Sequence, residues 1–210
     1  MTLDARSISA VLQRVPVWLV YAVGFVPAVL YFYLGVMDRL GADPLNVLER
    51  ALGEWALRFL ILGLTITPLR QVFGINLLRY RRAVGLLAFY YAGLHLLTYV
   101  VLDQGLDWAA IWKDILKRPY ITIGMLSFLL LVPLAATSNN ASIRRLGSEA
   151  WGRLHKLVYV AAAGAAVHYV LLVKSWPKEP LIYAAIVAGL LGYRLFRKLS
   201  RQPRVQAARA

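Results

Sequence analysis

Six long apolar runs divide this chain, each close to the length a helix needs to cross a bilayer. They are Val17–Met37, Ala51–Pro68, Ala83–Leu102, Pro119–Ala136, Leu154–Val173 and Pro180–Phe196, roughly 17 to 21 residues each against a hydrocarbon core of about 30 Å. The apolar residues come in blocks and not in the scatter of an amphipathic surface, which is the pattern of lipid-facing helices. Hydrophobic residues make up 60% of the chain and charged residues 16%. A water-soluble domain needs about 25% charged residues to cover its surface, so a soluble fold is excluded. The expected fold is an all-α integral membrane protein, a bundle of about six transmembrane helices. The second run is the least clean, because Glu54 and Arg58 lie inside it.

Charge sets the direction of threading. Arg70, Arg79, Arg81 and Arg82 lie between the second and third runs, and Arg144, Arg145 and Arg153 between the fourth and fifth. Arg6 and Arg14 precede the first run, and Arg194, Arg197, Lys198, Arg201, Arg204 and Arg209 close the chain. The alternate loops carry fewer: Arg39 and Arg50, then Lys113, Lys117 and Arg118, then Lys174 and Lys178. The positive-inside rule therefore places both termini in the cytoplasm, and an even number of spans agrees. The same rule accounts for the net charge of +14. No basic stripe is interleaved with stacking aromatics, so membrane lipid is an expected partner and nucleic acid is not. Trp18, Trp108, Trp112, Trp151 and Trp176 fall at or near run ends, as an aromatic belt does. Val17–Met37 is of spanning length and lacks an Ala-x-Ala exit, so it is expected to stay in the membrane. The absence of cysteine excludes disulfides, thiolate metal sites, iron–sulfur clusters and covalent c-type haem attachment.

All three histidines, His95, His155 and His168, sit in or at the edge of a span. An ionisable side chain in lipid is costly and faces the bundle interior for a reason, so a shared cofactor role is expected. At 1.5 Å per residue, His95 lies about 18 Å above the cytoplasmic end of the third helix and His168 about 21 Å above that of the fifth. The two share a level in the outer half of the membrane, where a porphyrin between helices three and five could take one ligand from each. His155 stands at the cytoplasmic end, about 20 Å below His168. The small residues from Ala161 to Ala166 between them either let a flat macrocycle lie close or simply pack helices. On an ideal helix His155 and His168 would point about 140° apart, so tilt, a kink or a π-bulge is needed to bring both into one interior. The axial offset excludes a common tetrahedral zinc site, and Glu54 is the one carboxylate well inside a span. Haem is the expected metal group.

Glu54 and Arg58 form an i, i+4 pair with the acid first. Two readings stand: mutual neutralisation within the membrane, or Arg58 meeting a propionate of the outer haem. Arg79, Arg81, Arg82, Arg144, Arg145 and Arg153 are mostly topology signals, of which a subset could hold propionates or a flavin phosphate.

These residues also carry a resemblance. Trp151-Gly-Arg-Leu-His155-Lys-Leu-Val-Tyr159, with His168 following, resembles the fifth helix of the MsrQ (YedZ) family. Trp55-Ala-Leu-Arg58 with Thr67-Pro-Leu-Arg70 resembles its second helix, and Gly93-Leu-His95-Leu-Leu-Thr-Tyr99 its third. Lys117-Arg-Pro-Tyr120-Ile-Thr-Ile-Gly124 and Ala136-Thr-Ser138 look like its fourth. The likeness runs over roughly residues 15 to 198, and order and spacing together make it specific.

The family belongs to the ferric-reductase-like transmembrane superfamily. The resemblance implies the haem-binding subunit of the MsrPQ methionine sulfoxide reductase system, a multi-pass protein of the bacterial inner membrane holding one or two haem b groups. FMN is also attributed to the family. Electrons would come from the quinone pool, or from a flavin reductase, and go to the periplasmic molybdopterin subunit MsrP, which reduces methionine sulfoxide in envelope proteins. Any soluble nucleotide or flavin domain would then be a separate protein. MsrP is expected to dock around Asp103–Arg118 and Lys174–Glu179, and no catalytic residue is expected on this chain. The family's haem-ligand histidines match His95, His155 and His168. The implied organisation is a cytoplasmic arm at 1–16, a ferric-reductase-like transmembrane haem-binding domain at 17–196 and a basic cytoplasmic tail at 197–210. Two-haem members of the superfamily carry a second histidine on helix three, where this chain has Arg81 and Arg82. A stand-alone ferric or metal reductase-type cytochrome b is the alternative; the lack of flavin and nicotinamide domains speaks against it. A cofactor-free transporter would show a continuous intramembrane row of polar residues, and none is visible.

Overall fold

The computed structural model describes the backbone of residues 5–172 and 178–207, with side chains as far as Ser200 apart from those of Arg6 and Ile8. Lys174, Trp176 and Arg209, and the side chains of Arg6, Arg201 and Arg204, therefore lie outside the described residues.

Helices α1 (Ala5–Arg14), α2 (Val17–Val36) and α3 (Pro44–Val72) lead through a short 3-10 turn (Leu78–Tyr80) into α4 (Arg81–Leu97). Then come α5 (Trp108–Lys117), α6 (Pro119–Ala136), α7 (Asn140–Leu146), α8 (Ser148–Leu154), α9 (Leu157–Leu172) and α10 (Lys178–Ala207). Six stretches are long and apolar enough to cross a membrane: Val17–Val36, Pro44–Val72, Leu78–Asp103, Pro119–Ala136, Ser148–Leu172 and Lys178–Ser200. No strand occurs among the described residues. The fold is an all-α bundle with six candidate transmembrane helices, matching the six apolar runs.

The differences lie at helix ends. α3 begins at Pro44 and not at Ala51, because Asp43 accepts a hydrogen bond from the Asn46 amide (3.2 Å) and proline suits the first helical position. The fifth span is broken. His155 and Lys156 form the joint between α8 and α9, tightened by i→i−3 bonds from the Val158 amide to the His155 carbonyl and from the Tyr159 amide to the Lys156 carbonyl. This break, and not a π-bulge, resets the phase between His155 and His168. A π-helical segment does occur, in the third span, where Thr98–Asp103 continues α4.

Among the described residues, α1, α5 and α7 lie outside the six spans. α5 is N-capped by Asp107, whose carboxylate accepts from the amides of Ala109 and Ala110 (3.0 Å each). It buries Ile111 and turns Trp108, Trp112 and Leu116 outward, the arrangement of a helix lying at a membrane interface. α7 starts from the Asn139 cap and ends at Gly147, whose φ of 76° needs a residue without a side chain.

Lipid offers apolar side chains as good a solvent as a protein core, so close packing and hydrogen bonds must hold such a bundle together. The antiparallel pairs α3–α4 and α6–α9 pack most extensively; α2 rests on the first pair and α10 on α9. Tyr91, fully buried on α4, sends its hydroxyl into α2, donating to the Gly24 carbonyl (2.7 Å) and accepting from the Ala28 amide (2.9 Å). Those are the two groups that an uninterrupted helix joins to each other, one residue beyond Pro27. The small residues of α9 pack helices: Ala161 belongs to the core around Leu87 and Tyr91, Ala162 and Ala166 to that around Leu57, Leu64 and Val187. Gly164 sits directly against the Ser127 hydroxyl of α6.

Candidate functional site

Each of the two tight helix pairs contributes one histidine to the space between them. His95 on α4 and His168 on α9 stand with ring centres 6.3 Å apart and planes inclined at 69°. Each is held by its Nδ1. That of His95 lies 2.9 Å from the Glu49 carbonyl on α3, and that of His168 lies 2.6 Å from the Tyr120 carbonyl on α6. A carbonyl only accepts, so Nδ1 carries the proton in both rings and Nε2 keeps its lone pair. This is the tautomer of a metal-ligating histidine, whose other nitrogen usually donates to a carbonyl or carboxylate.

The spacing suits a shared metal. A metal–imidazole bond is about 2 Å and the ring centre lies about 1 Å beyond the nitrogen, so two rings ligating one ion from opposite sides stand about 6 Å apart. Gly53 and Gly124 leave the room: a Cβ at Gly53 would lie 3.2 Å from His95 Nδ1, and one at Gly124 would lie 2.8 Å from His168 Nδ1. The residues present fit a haem held between the two imidazoles.

His155 is placed apart from this pair. Its ring stacks on Trp151 (centres 3.9 Å apart), and Nε2 lies 3.0 Å from the Thr137 hydroxyl. That hydroxyl already donates to the Pro133 carbonyl at 2.6 Å, so it accepts the Nε2 proton of His155. The Trp151 indole donates to the Thr137 carbonyl (2.9 Å), fixing the stack, and Arg81 and Arg82 are the charges nearby. His155 thus holds the tautomer opposite to that of His95 and His168. Among the described residues, no three His, Cys, Asp or Glu side chains gather closely enough to hold a metal ion.

Arg58 is engaged within the protein. It donates to Glu54 (3.1 Å) and to the Tyr183 hydroxyl (2.7 Å), and it lies 3.6 Å from Glu179 and 4.9 Å from the centre of the Trp55 ring. Glu54 also meets Arg50 (3.4 Å) and accepts from the Tyr169 hydroxyl (2.7 Å), next to His168. The network ties α3, α9 and α10 together, as mutual neutralisation of Glu54 and Arg58 requires. Of the arginines at the end that carries α1 and α7, Arg82 donates to Asn140 (2.9 Å), and Arg194 to the Leu64 carbonyl (2.6 Å) and Tyr159 hydroxyl (3.3 Å).

The sequence singles out the histidines and Arg58 as candidates but not Glu49, Gly53, Tyr120 and Gly124, which lie against His95 and His168. Their one shared signal is the repeated four-residue spacing of carbonyl and glycine on α3 and α6.

Comparison with known proteins agrees with this architecture. The family model described as ferric reductase like transmembrane component matches residues 19–166. The protein-methionine-sulfoxide reductase heme-binding subunits MsrQ of Brucella ovis, Brucella canis and Brucella suis are each 65% identical over 184 residues, covering 88% of this chain and 83% of each relative. With its six apolar helices this makes the chain a multi-pass membrane protein. It belongs to the ferric reductase like transmembrane component family and, within it, to the MsrQ proteins.

Proposed function

We propose that the chain is the haem-binding electron-transfer subunit of a methionine sulfoxide reductase system in the bacterial inner membrane. It would pass electrons from the quinone pool, or from a reduced flavin such as FMN, to the periplasmic molybdopterin subunit MsrP. The observation that carries this reading is the pair of imidazoles 6.3 Å apart, each held with a lone pair on Nε2. The relatives, heme-binding subunits of protein-methionine-sulfoxide reductases, support the cofactor and the system.

His95 and His168 would ligate the outer haem b, which when bound supplies a reversible one-electron couple. The protein's own part is to hold and shield. The Glu49 and Tyr120 carbonyls keep each ring in the ligating tautomer and raise its basicity. The apolar helices keep water out, and the Glu54–Arg58–Tyr169 network places charge beside the His168 turn. Arg58 remains the candidate for a propionate, which it would reach from its position between Glu54 and Tyr183. A second haem at His155 requires its ring to leave Thr137 and change tautomer. The excess of arginine at the end that carries α1 and α7 supports a cytoplasmic position for both termini, with residues 1–16 as arm, 17–196 as the haem-binding domain and 197–210 as tail. MsrP would meet the opposite end, around Asp103–Arg118 and Lys174–Glu179, of which Lys174 lies outside the described residues.

The test is a reduced-minus-oxidised spectrum of the detergent-purified protein with haem quantified per chain. A low-spin b-type spectrum is expected. His95→Ala and His168→Ala should each abolish the outer haem and electron delivery to the reductase. Normal haem content and turnover in both variants would sink the assignment.

A further inference from the structure

In an α-helix the carbonyl of residue i points along the axis toward residue i+4, and the side chain there stands beside its outer lone pair. A ring N–H arriving from another helix as a second donor must pass that side chain. In both helices that anchor a histidine here, the residue at i+4 is glycine: Gly53 after Glu49, and Gly124 after Tyr120. An added Cβ would lie 3.2 Å from Nδ1 and 3.3 Å from Cε1 of His95 at the first position, and 2.8 Å and 2.9 Å from the same atoms of His168 at the second. Other glycines meet other neighbours or none: an added Cβ would face Leu87 at Gly24 and Ser127 at Gly164, and nothing within 4 Å at Gly85 or Gly192. The device therefore occurs twice, on two separate helix pairs, and at each the carbonyl fixes the rotation of a ring. Together the two anchors hold the ring planes 69° apart.

We propose that Gly53 and Gly124 are positioning residues that set the crossed orientation of the His95 and His168 imidazoles, and with it the electronic state of the iron they hold. The inference rests on the reading that these histidines are haem ligands. Crossed imidazole planes keep the two iron d orbitals that overlap the ligand π systems nearly equal in energy. The ferric form then gives a single large-g low-spin resonance, whereas parallel planes split the orbitals and give a resolved three-line rhombic spectrum.

The experiment is low-temperature electron paramagnetic resonance of the oxidised holoprotein, with carbon monoxide binding to its reduced form. Wild type should show the single large-g signal and no carbon monoxide adduct. Gly124→Ala should lose that signal to rhombic or high-spin features and bind carbon monoxide. Gly53→Ala, with the smaller intrusion, should do so in a smaller fraction of molecules. Gly85→Ala and Gly192→Ala should match wild type. A rhombic wild-type spectrum overturns the proposal, as does retention of the wild-type signal in both Gly53→Ala and Gly124→Ala. If Gly124→Ala does not fold, Gly53→Ala decides alone. A wild-type protein without haem, or haem indifferent to both His95→Ala and His168→Ala, defeats the underlying ligand assignment instead. Haem that needs both histidines but ignores both glycines defeats only this inference.

Discussion

Tyr91 brings a hydroxyl into a place where neither water nor lipid can satisfy it, and α2 receives it between Gly24 and Ala28. Tyr91→Phe leaves the ring packing intact but removes both hydrogen bonds that tie α4 to α2, so a loss of about 0.5–1.5 kcal/mol per bond is expected, read as a lower thermal midpoint in detergent. The histidines behave differently, because their value lies in a lone pair. His155→Ala should leave the outer low-spin spectrum unchanged, since His155 is held by Thr137 and Trp151 and not by the outer pair. A lost outer signal would contradict that separation, and haem per chain in the same samples counts any second site. At this scale the sequence is an uneven guide. His95 and His168 stand out because ionisable residues are rare in spans. Gly53 and Gly124 do not, because their role is defined by a carbonyl one turn back and by a ring on another helix. Nothing in a one-dimensional pattern links the three.

Among elements, the long apolar helices are legible because hydropathy is a local, additive property. The first turns of α3 are hidden by Asn46, Glu49 and Arg50, although Asp43 and Pro44 spell out a helix start. α5 is too short to register as a span, yet its Asp107 cap and its Trp108, Trp112 and Leu116 stripe define it. The joint at His155–Lys156 carries no proline or glycine, so the sequence leaves open whether the phase is reset by a break or by a bulge. The polar tie between α3, α9 and α10 also becomes visible only in three dimensions, since Tyr169, Tyr183 and Glu179 are far from Glu54 and Arg58 along the chain. Glu54→Gln keeps the shape but removes the charge shared by Arg50 and Arg58. It should loosen α10 from the bundle, at a cost of about 1.5–3 kcal/mol, measured as faster proteolysis between α9 and α10. Proteolysis at the wild-type rate would show that the network does not dock α10.

For the whole molecule, the arginine-rich end and its counterpart make a topology that reporter fusions can read. Alkaline phosphatase fused after Ala207 should be inactive and fused in the loop at Gly105 active, with a fluorescent protein giving the inverse pattern. The reverse result would invert the direction of electron flow proposed above. The two halves of the candidate site arrive on separate hairpins, α3–α4 with His95 and α6–α9 with His168. A group coordinated by both would act as a rivet across that seam. Each hairpin can enter the membrane with its own imidazole already braced, and loading then couples the melting of one to the melting of the other. The bundle's cohesion becomes a function of cofactor supply, rising with the logarithm of free ligand over its dissociation constant, so a cell short of haem would make a looser protein as well as a less active one.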